Sequence, residues 1–266
     1  MQSVKLGVIT GSGTYALSGL EEVELHQVQT RYGAVEVSSG RLADLEVAHV
    51  SRHGEGHIRL SNQVNHRANV LALREVGADA AIGVTVCGAV DPGIELSTLI
   101  VFDDLYFLGN RLADGSICTL YDEPGAAGRG HWVFDRPYSE PLRAVLLEGA
   151  ASTGAPVCDG GCYGHVDGPR FNTRAEIRAL AGCGVSAVSQ TAGPETVLCG
   201  EAELPYALLG YATDYANGVC AEATPVSELM RLIEASTAAF GETLTHAARL
   251  LGADRPRPLG THIRWQ

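Results

Sequence analysis

The sequence contains no run of about 20 uninterrupted apolar residues, the length needed to cross a bilayer, so no membrane span is expected. Residues 1–7 lack the basic segment and long apolar core of an export signal, and a cytoplasmic location is expected. Positive charge is scarce: 19 Lys and Arg stand against 31 Asp and Glu, a net charge of −12. Such a field repels polyanions, which argues against nucleic acid and anionic membrane as partners. A small anion can be held only where local Arg, His and backbone N–H groups outweigh that background. No disulfide framework is in evidence either. The seven cysteines are an odd number scattered through apolar segments, and a chain of 266 residues buries enough surface to need no staples, so reduced thiols are expected. Cys158 and Cys162 flank two glycines in a way that suggests a redox or metal pair, but no second Cys/His pair lies at finger spacing, and no metal is expected.

What remains is the composition of an ordinary folded chain, 45% hydrophobic and 19% charged. Apolar runs at 4–10, 45–51, 80–86, 98–103, 161–166, 185–189 and 206–213 read as strands. Helical spacing marks 62–77, 139–153 and 173–181. A last helix is expected from Thr224 as N-cap and Pro225 at the first helical position to about Leu251. Strands alternating with helices, with no Pro/Ser-rich linker and no repeat, predict one α/β domain over residues 1–266 around a mixed, mostly parallel sheet flanked by helices. Residues 109–134 read as a long irregular segment of the kind that serves a site or an interface. The tail 254–266, opened by Asp254-Arg255-Pro256-Arg257-Pro258, is expected to be non-helical at its start and mobile.

Several strand ends carry groups suited to an anion. Gly11-Ser12-Gly13-Thr14-Tyr15-Ala16 satisfies G-x-G-x-x-A after a strand, but Ser18-Gly19-Leu20 interrupts the helix that a dinucleotide site requires. A phosphate-binding turn and a turn with no ligand both remain open. Arg52 could grip an anion bidentately with His53 as a second donor, or the two could be an ordinary surface pair. Thr85-Val86-Cys87-Gly88 adds a hydroxyl and backbone N–H groups at another strand end, and Thr191 opens a segment whose helix dipole favours an anion. Asp214 follows the last apolar strand. Partial burial there would raise its pKa and let it act as an acid toward a nitrogen base, unless it is only a capping residue.

Read in order, Gly11-Ser12-Gly13, Ser51-Arg52-His53-Gly54, Val64-Asn65 with Ala68-Asn69, Thr85-Val86-Cys87-Gly88, Gly168-Pro169-Arg170-Phe171, Pro194-Glu195 and Thr213-Asp214-Tyr215 resemble the trimeric purine nucleoside phosphorylase family, within it the 5′-methylthioadenosine phosphorylase branch. The resemblance spans nearly the whole chain. It implies an enzyme, a pentosyltransferase, that uses inorganic phosphate as co-substrate to release a free purine and a pentose 1-phosphate, with no metal or organic cofactor. It implies a phosphate site at Ser12, Arg52, His53, Thr85, the backbone of Val86, and Thr191. The nucleoside would meet Cys87, Gly88, Phe171, Gln190, Asp214 and Ala216, with Asp214 the catalytic group at purine N7. A homotrimer is implied, His131 reaching a neighbour's 5′ pocket lined by Val226, Leu229 and Met230.

The sequence departs from the family pattern at three positions: Gln190 replaces a Met at the sugar, Asp167 a Glu, and Ala216 a second Asp that accepts from a 6-amino group. The preference expected is therefore for methylthioadenosine or a related 6-aminopurine nucleoside, weakened at the base. A 6-oxopurine or methylthioinosine phosphorylase, a phosphate-independent nucleoside hydrolase and a non-catalytic purine nucleoside-binding protein are the alternatives. A dehydrogenase rests on the first glycine turn alone.

Overall fold

The computed structural model of the protein describes residues 4–252 and 256–265. In chain order its elements are β1 (Lys5–Thr10), β2 (Leu20–Thr30), β3 (Gly33–Leu42), β4 (Leu45–Ser51), α1 (His66–Glu75), β5 (Ala80–Ala89), β6 (Leu99–Val101), β7 (Asp104–Tyr106), β8 (Gly130–Phe134), α2 (Glu140–Ser152), β9 (Val157–Asp159), β10 (Cys162–His165), α3 (Arg174–Gly182), β11 (Val185–Ser189), α4 (Ala192–Glu201), β12 (Tyr206–Tyr215), α5 (Val226–Leu250) and β13 (Gly260–Arg264).

All strands but β8 and β13 belong to one 11-stranded mixed sheet. Parallel pairings join β1 to β4 and β5, β5 to β12, β10 to β11 and β7, and β6 to β9. Antiparallel pairings join β2, β3 and β4 in succession, β5 to β11 and β6 to β12. The central strands read as continuous apolar runs because both of their faces are covered. On one face Val8, Ile82 and Val84 pack with Leu142 and Leu146 of α2 and Phe240 and Leu244 of α5. On the other, Ile9 and Ala81 share a core with Val70 and Leu73 of α1 and Leu198 of α4.

One topological feature positions the site. Along one edge of β5, β1 pairs only as far as Gly83, and β11 begins only at Gly88. The edge between them, Val84 to Cys87, is open where the neighbouring strands part, which is where open α/β sheets receive ligands.

Several expectations need correction. The helix expected at 62–77 is confined to α1, capped by the Asn65 side chain, which accepts from the Ala68 N–H at 3.1 Å; an extended Val64 and a short 3₁₀ turn, Ser61–Gln63, precede it. Pro225, with φ −58° and ψ 141°, is itself the non-helical cap of α5, and Thr224 Oγ1 instead accepts the Tyr215 N–H at 3.1 Å. Residues 109–134 include β8, which pairs antiparallel with β13, so the tail expected to be mobile carries a strand at Gly260–Arg264. Asp254 and Arg255 lie outside the described residues. No helix among the described residues is long and apolar enough to cross a membrane.

Candidate active site

Thr10 and Ser51 are register partners at the ends of β1 and β4, and the Arg52 N–H donates to the Thr10 carbonyl at 3.0 Å. The chain turns of Ser12 and of Arg52-His53 therefore start side by side, beside the open edge of β5. They join Thr85, Val86, Cys87, Gly88, Phe171, Gln190, Thr191, Asp214, Ala216 and Leu229 around one cavity of about 250 Å³. His57, Ser61, Ser189, Asn217 and Ile233 also line it, and none of these was singled out from the sequence. A hydroxyl or amide in a loop leaves no local pattern. Ser189 ends a strand that was recognised, and that position was the available signal.

Arg52 is only 1% exposed, and its fork is not vacant. Nε donates to Glu195 Oε1 at 2.5 Å, Nη2 to Oε2 at 2.8 Å, and Nη1 to the Val84 carbonyl at 3.2 Å. The edge expected to grip an anion bidentately thus holds a carboxylate. A guanidinium has five N–H donors, so donors on the two terminal nitrogens remain for a ligand.

His53 also differs from its expected role as a donor. Its Nδ1 lies 2.8 Å from the Arg59 carbonyl, which can only accept, so Nδ1 carries the hydrogen. Burial, followed by the Arg52 charge, lowers the pKa to about 4. At neutral pH the other ring nitrogen is therefore an acceptor. His57 stacks on the His53 ring at 4.2 Å and meets the Tyr15 hydroxyl at 3.2 Å.

The hydroxyls of Thr85 and Ser189 stand 2.9 Å apart, joining β5 to β11 across the gap. The Thr191 side chain makes no capping hydrogen bond to α4, and the first N–H of that helix donates to the Tyr163 hydroxyl at 3.1 Å. The Gln190 amide is held at both ends: Ser61 Oγ donates to its Oε1 at 2.8 Å, and its Nε2 donates to the Arg170 carbonyl at 3.1 Å. It thereby ties the loop bearing Phe171 to the loop bearing Ser61.

Asp214 is the register partner of Gly88, and Gly210 that of Thr85. At about 3.3 Å per residue, Asp214 lies about 10 Å along the strand from Thr85. Burial raises its pKa, and one hydrogen bond from Thr213 Oγ1, at 3.0 Å, opposes this. Three residues implied by the resemblance are not brought to this cavity. Val226 and Met230 are exposed on α5, while His131 on β8 lines a second cavity with Trp265.

An anion-suited end and, about 10 Å along the strand, a buried carboxyl whose pKa burial raises describe a group-transfer site. The profile of the phosphorylase superfamily matches residues 5–250. The chain belongs to that superfamily and is an enzyme of the nucleoside phosphorylase type. It is 34% identical over 251 residues to the probable S-methyl-5′-thioinosine phosphorylase of Xanthomonas campestris, covering 93% of this chain and 98% of the relative. It is 35% identical over 252 residues to the S-methyl-5′-thioadenosine phosphorylase of Mycobacterium tuberculosis, covering 93% and 87%. The methylthioadenosine phosphorylase of Schistosoma mansoni, solved with adenine, superposes with a TM-score of 0.86 at 26% identity, covering 94% of this chain and 92% of that one.

Proposed function

We propose that the enzyme cleaves the N-glycosidic bond of a purine nucleoside with inorganic phosphate, giving the free purine and a pentose 1-phosphate. 5′-Methylthioadenosine or a related 6-aminopurine nucleoside is the preferred substrate. The observation that carries this reading is the shared cavity: Ser12, Arg52, Thr85 and Thr191 line it together with Asp214.

Phosphate sits at the open edge of β5, taking the free Arg52 N–H groups, the hydroxyls of Ser12, Thr85 and Thr191, and the Val86 backbone. The neutral His53 ring accepts a hydrogen from a phosphate hydroxyl. The bound oxyanion attacks the anomeric carbon as the C–N bond breaks, and its charge stabilises the cationic sugar that develops. Asp214, whose pKa burial raises, donates in its protonated form toward purine N7, so the base leaves without a full negative charge. Cys87, Gly88, Phe171, Gln190 and Ala216 surround the nucleoside, and the reaction needs no metal or organic cofactor.

A homotrimer completes the site. Val226 and Met230 are 74% and 58% exposed beside the cavity-lining Leu229, an apolar strip suited to cover by a neighbour's His131. A cytoplasmic setting belongs to the same reading. A second reading, for 6-oxopurine nucleosides, is favoured by Ala216, whose methyl group offers no acceptor to a 6-amino group. Turnover of methylthioadenosine, methylthioinosine, adenosine and inosine, with and without phosphate, separates these. Phosphate-dependent release is expected, with methylthioadenosine fastest.

A further inference from the structure

Glu195 lies in the first turn of α4, is wholly withdrawn from solvent and does not line the cavity, yet it occupies the hydrogen-bonding edge of Arg52. We propose that Glu195 is a positioning residue for phosphate: it holds Arg52 so that the remaining terminal N–H groups face the oxyanion, and Tyr206 holds Glu195. This rests on reading the cavity as a phosphorolysis site.

The arrangement is built from several elements. Glu195 Oε1 receives Nε of Arg52, and Oε2 receives both Nη2 and the Tyr206 hydroxyl, the latter at 3.0 Å. His66 Nδ1 stands 3.5 Å from Oε1, too far for a firm hydrogen bond. Two glycines, one in the turn after β1 and one on β5, make the room. A Cβ on Gly11 of the β1 turn would stand 2.5 Å from Arg52 Nη1, and one on Gly83 of β5 would collide with the Tyr206 hydroxyl. Burial by itself would raise the Glu195 carboxyl, but the charge and hydrogen bonds of Arg52 outweigh it and hold it down to about 2. The same carboxylate outweighs the effect of burial on Arg52 and raises its pKa. The pair therefore stays ionised at working pH.

Its consequence for phosphate can be separated from its charge. A carboxylate next to Arg52 cancels much of the positive potential an anion would feel, so electrostatics alone predicts that removing it tightens phosphate binding. Orientation predicts the reverse. A Gln at this position turns one N–H toward the guanidinium, so only one of the two contacts survives and the fork must rotate.

The test measures the phosphate KM at saturating nucleoside, the nucleoside KM at saturating phosphate, and the rise in Tm on adding inorganic phosphate, for the full chain. Glu195→Gln is expected to raise the phosphate KM about tenfold or more with the nucleoside KM within about threefold, and to shrink the Tm rise. Glu195→Asp keeps the charge but shortens the reach, and should behave like the Gln variant. Tyr206→Phe, the mildest change, should raise the phosphate KM about threefold. Wild-type affinity for phosphate in Glu195→Asp, or an unchanged or lowered phosphate KM in Glu195→Gln, overturns the proposal. Should Glu195→Gln not fold, an unchanged phosphate KM in Tyr206→Phe overturns it. A wild-type enzyme that turns over without phosphate and gains no stability from it overturns the phosphorolysis reading and this inference together; a phosphate-dependent wild type with indifferent variants overturns this inference alone.

Discussion

Gly11 yields its side-chain space to Arg52, whose Nη1 would stand 2.5 Å from a Cβ built on the glycine. The guanidinium cannot step aside cheaply, because Glu195 holds Nε and Nη2 and the Val84 carbonyl holds Nη1 itself. Gly11→Ala should therefore fold, displace the fork and raise the phosphate KM about tenfold. A phosphate titration with wild-type KM would show that the contact relaxes without consequence.

Replacing Arg52 itself has two effects. Arg52→Ala removes the charged donor of the phosphate site and leaves Glu195 buried without its partner, a loss of about 3–5 kcal/mol for a broken buried pair. The expected result is a phosphate requirement raised about 100-fold or more and a Tm lowered by roughly 10 °C. Thermal melts and phosphate titration read the two separately. An unchanged Tm would mean that the pair contributes nothing to the fold.

Asp214 should set both base preference and the alkaline limb of the rate profile. With its pKa raised by burial, the donating form is the protonated one, so kcat/KM for a 6-aminopurine nucleoside falls as pH rises through that pKa. Asp214→Asn should lose about 100-fold in kcat/KM on methylthioadenosine, lose less on methylthioinosine, and lack the limb. Lost stability with unchanged selectivity would instead identify a cap.

Stability should fall on mild acidification. Burial lowers His49 to about 4, and burial with the Arg52 charge does the same for His53. In the unfolded chain both titrate near the ordinary value of about 6.5. Between these limits the unfolded state binds more protons, so stability is full above about pH 6.5 and is lost as pH falls toward about 4. At pH 5 each ring accounts for about 1–2 kcal/mol, so the Tm should drop by roughly 5–10 °C from pH 7 to 5. A flat Tm over that range would contradict the neutral buried rings.

The core strands are written in the amino-acid sequence itself. The runs at Leu45–Ser51 and Val185–Ser189 coincide with β4 and β11, because most of their positions are buried and apolar, with Glu46 the one exposed residue. The hairpin β2–β3 was missed: β2, Leu-Glu-Glu-Val-Glu-Leu-His-Gln-Val-Gln-Thr, is exposed along nearly all its length and has no buried face to write a pattern. The strand β13 was hidden for another reason, since its partner β8 lies in a segment without periodicity. At the site, the residue types at the strand ends could be read. The bond from Arg52 to Glu195, 143 residues apart in sequence, could not, and it is what changes the expected bidentate grip on an anion into one through the terminal N–H groups alone.

Phosphate, not water, is expected to receive the sugar. Phosphorus NMR of a reaction containing enzyme, methylthioadenosine and inorganic phosphate tests it directly. A pentose 1-phosphate resonance should grow in step with free adenine, with no adenine release when phosphate is withheld. Adenine released at the same rate without phosphate, with free pentose as the only sugar product, would contradict it.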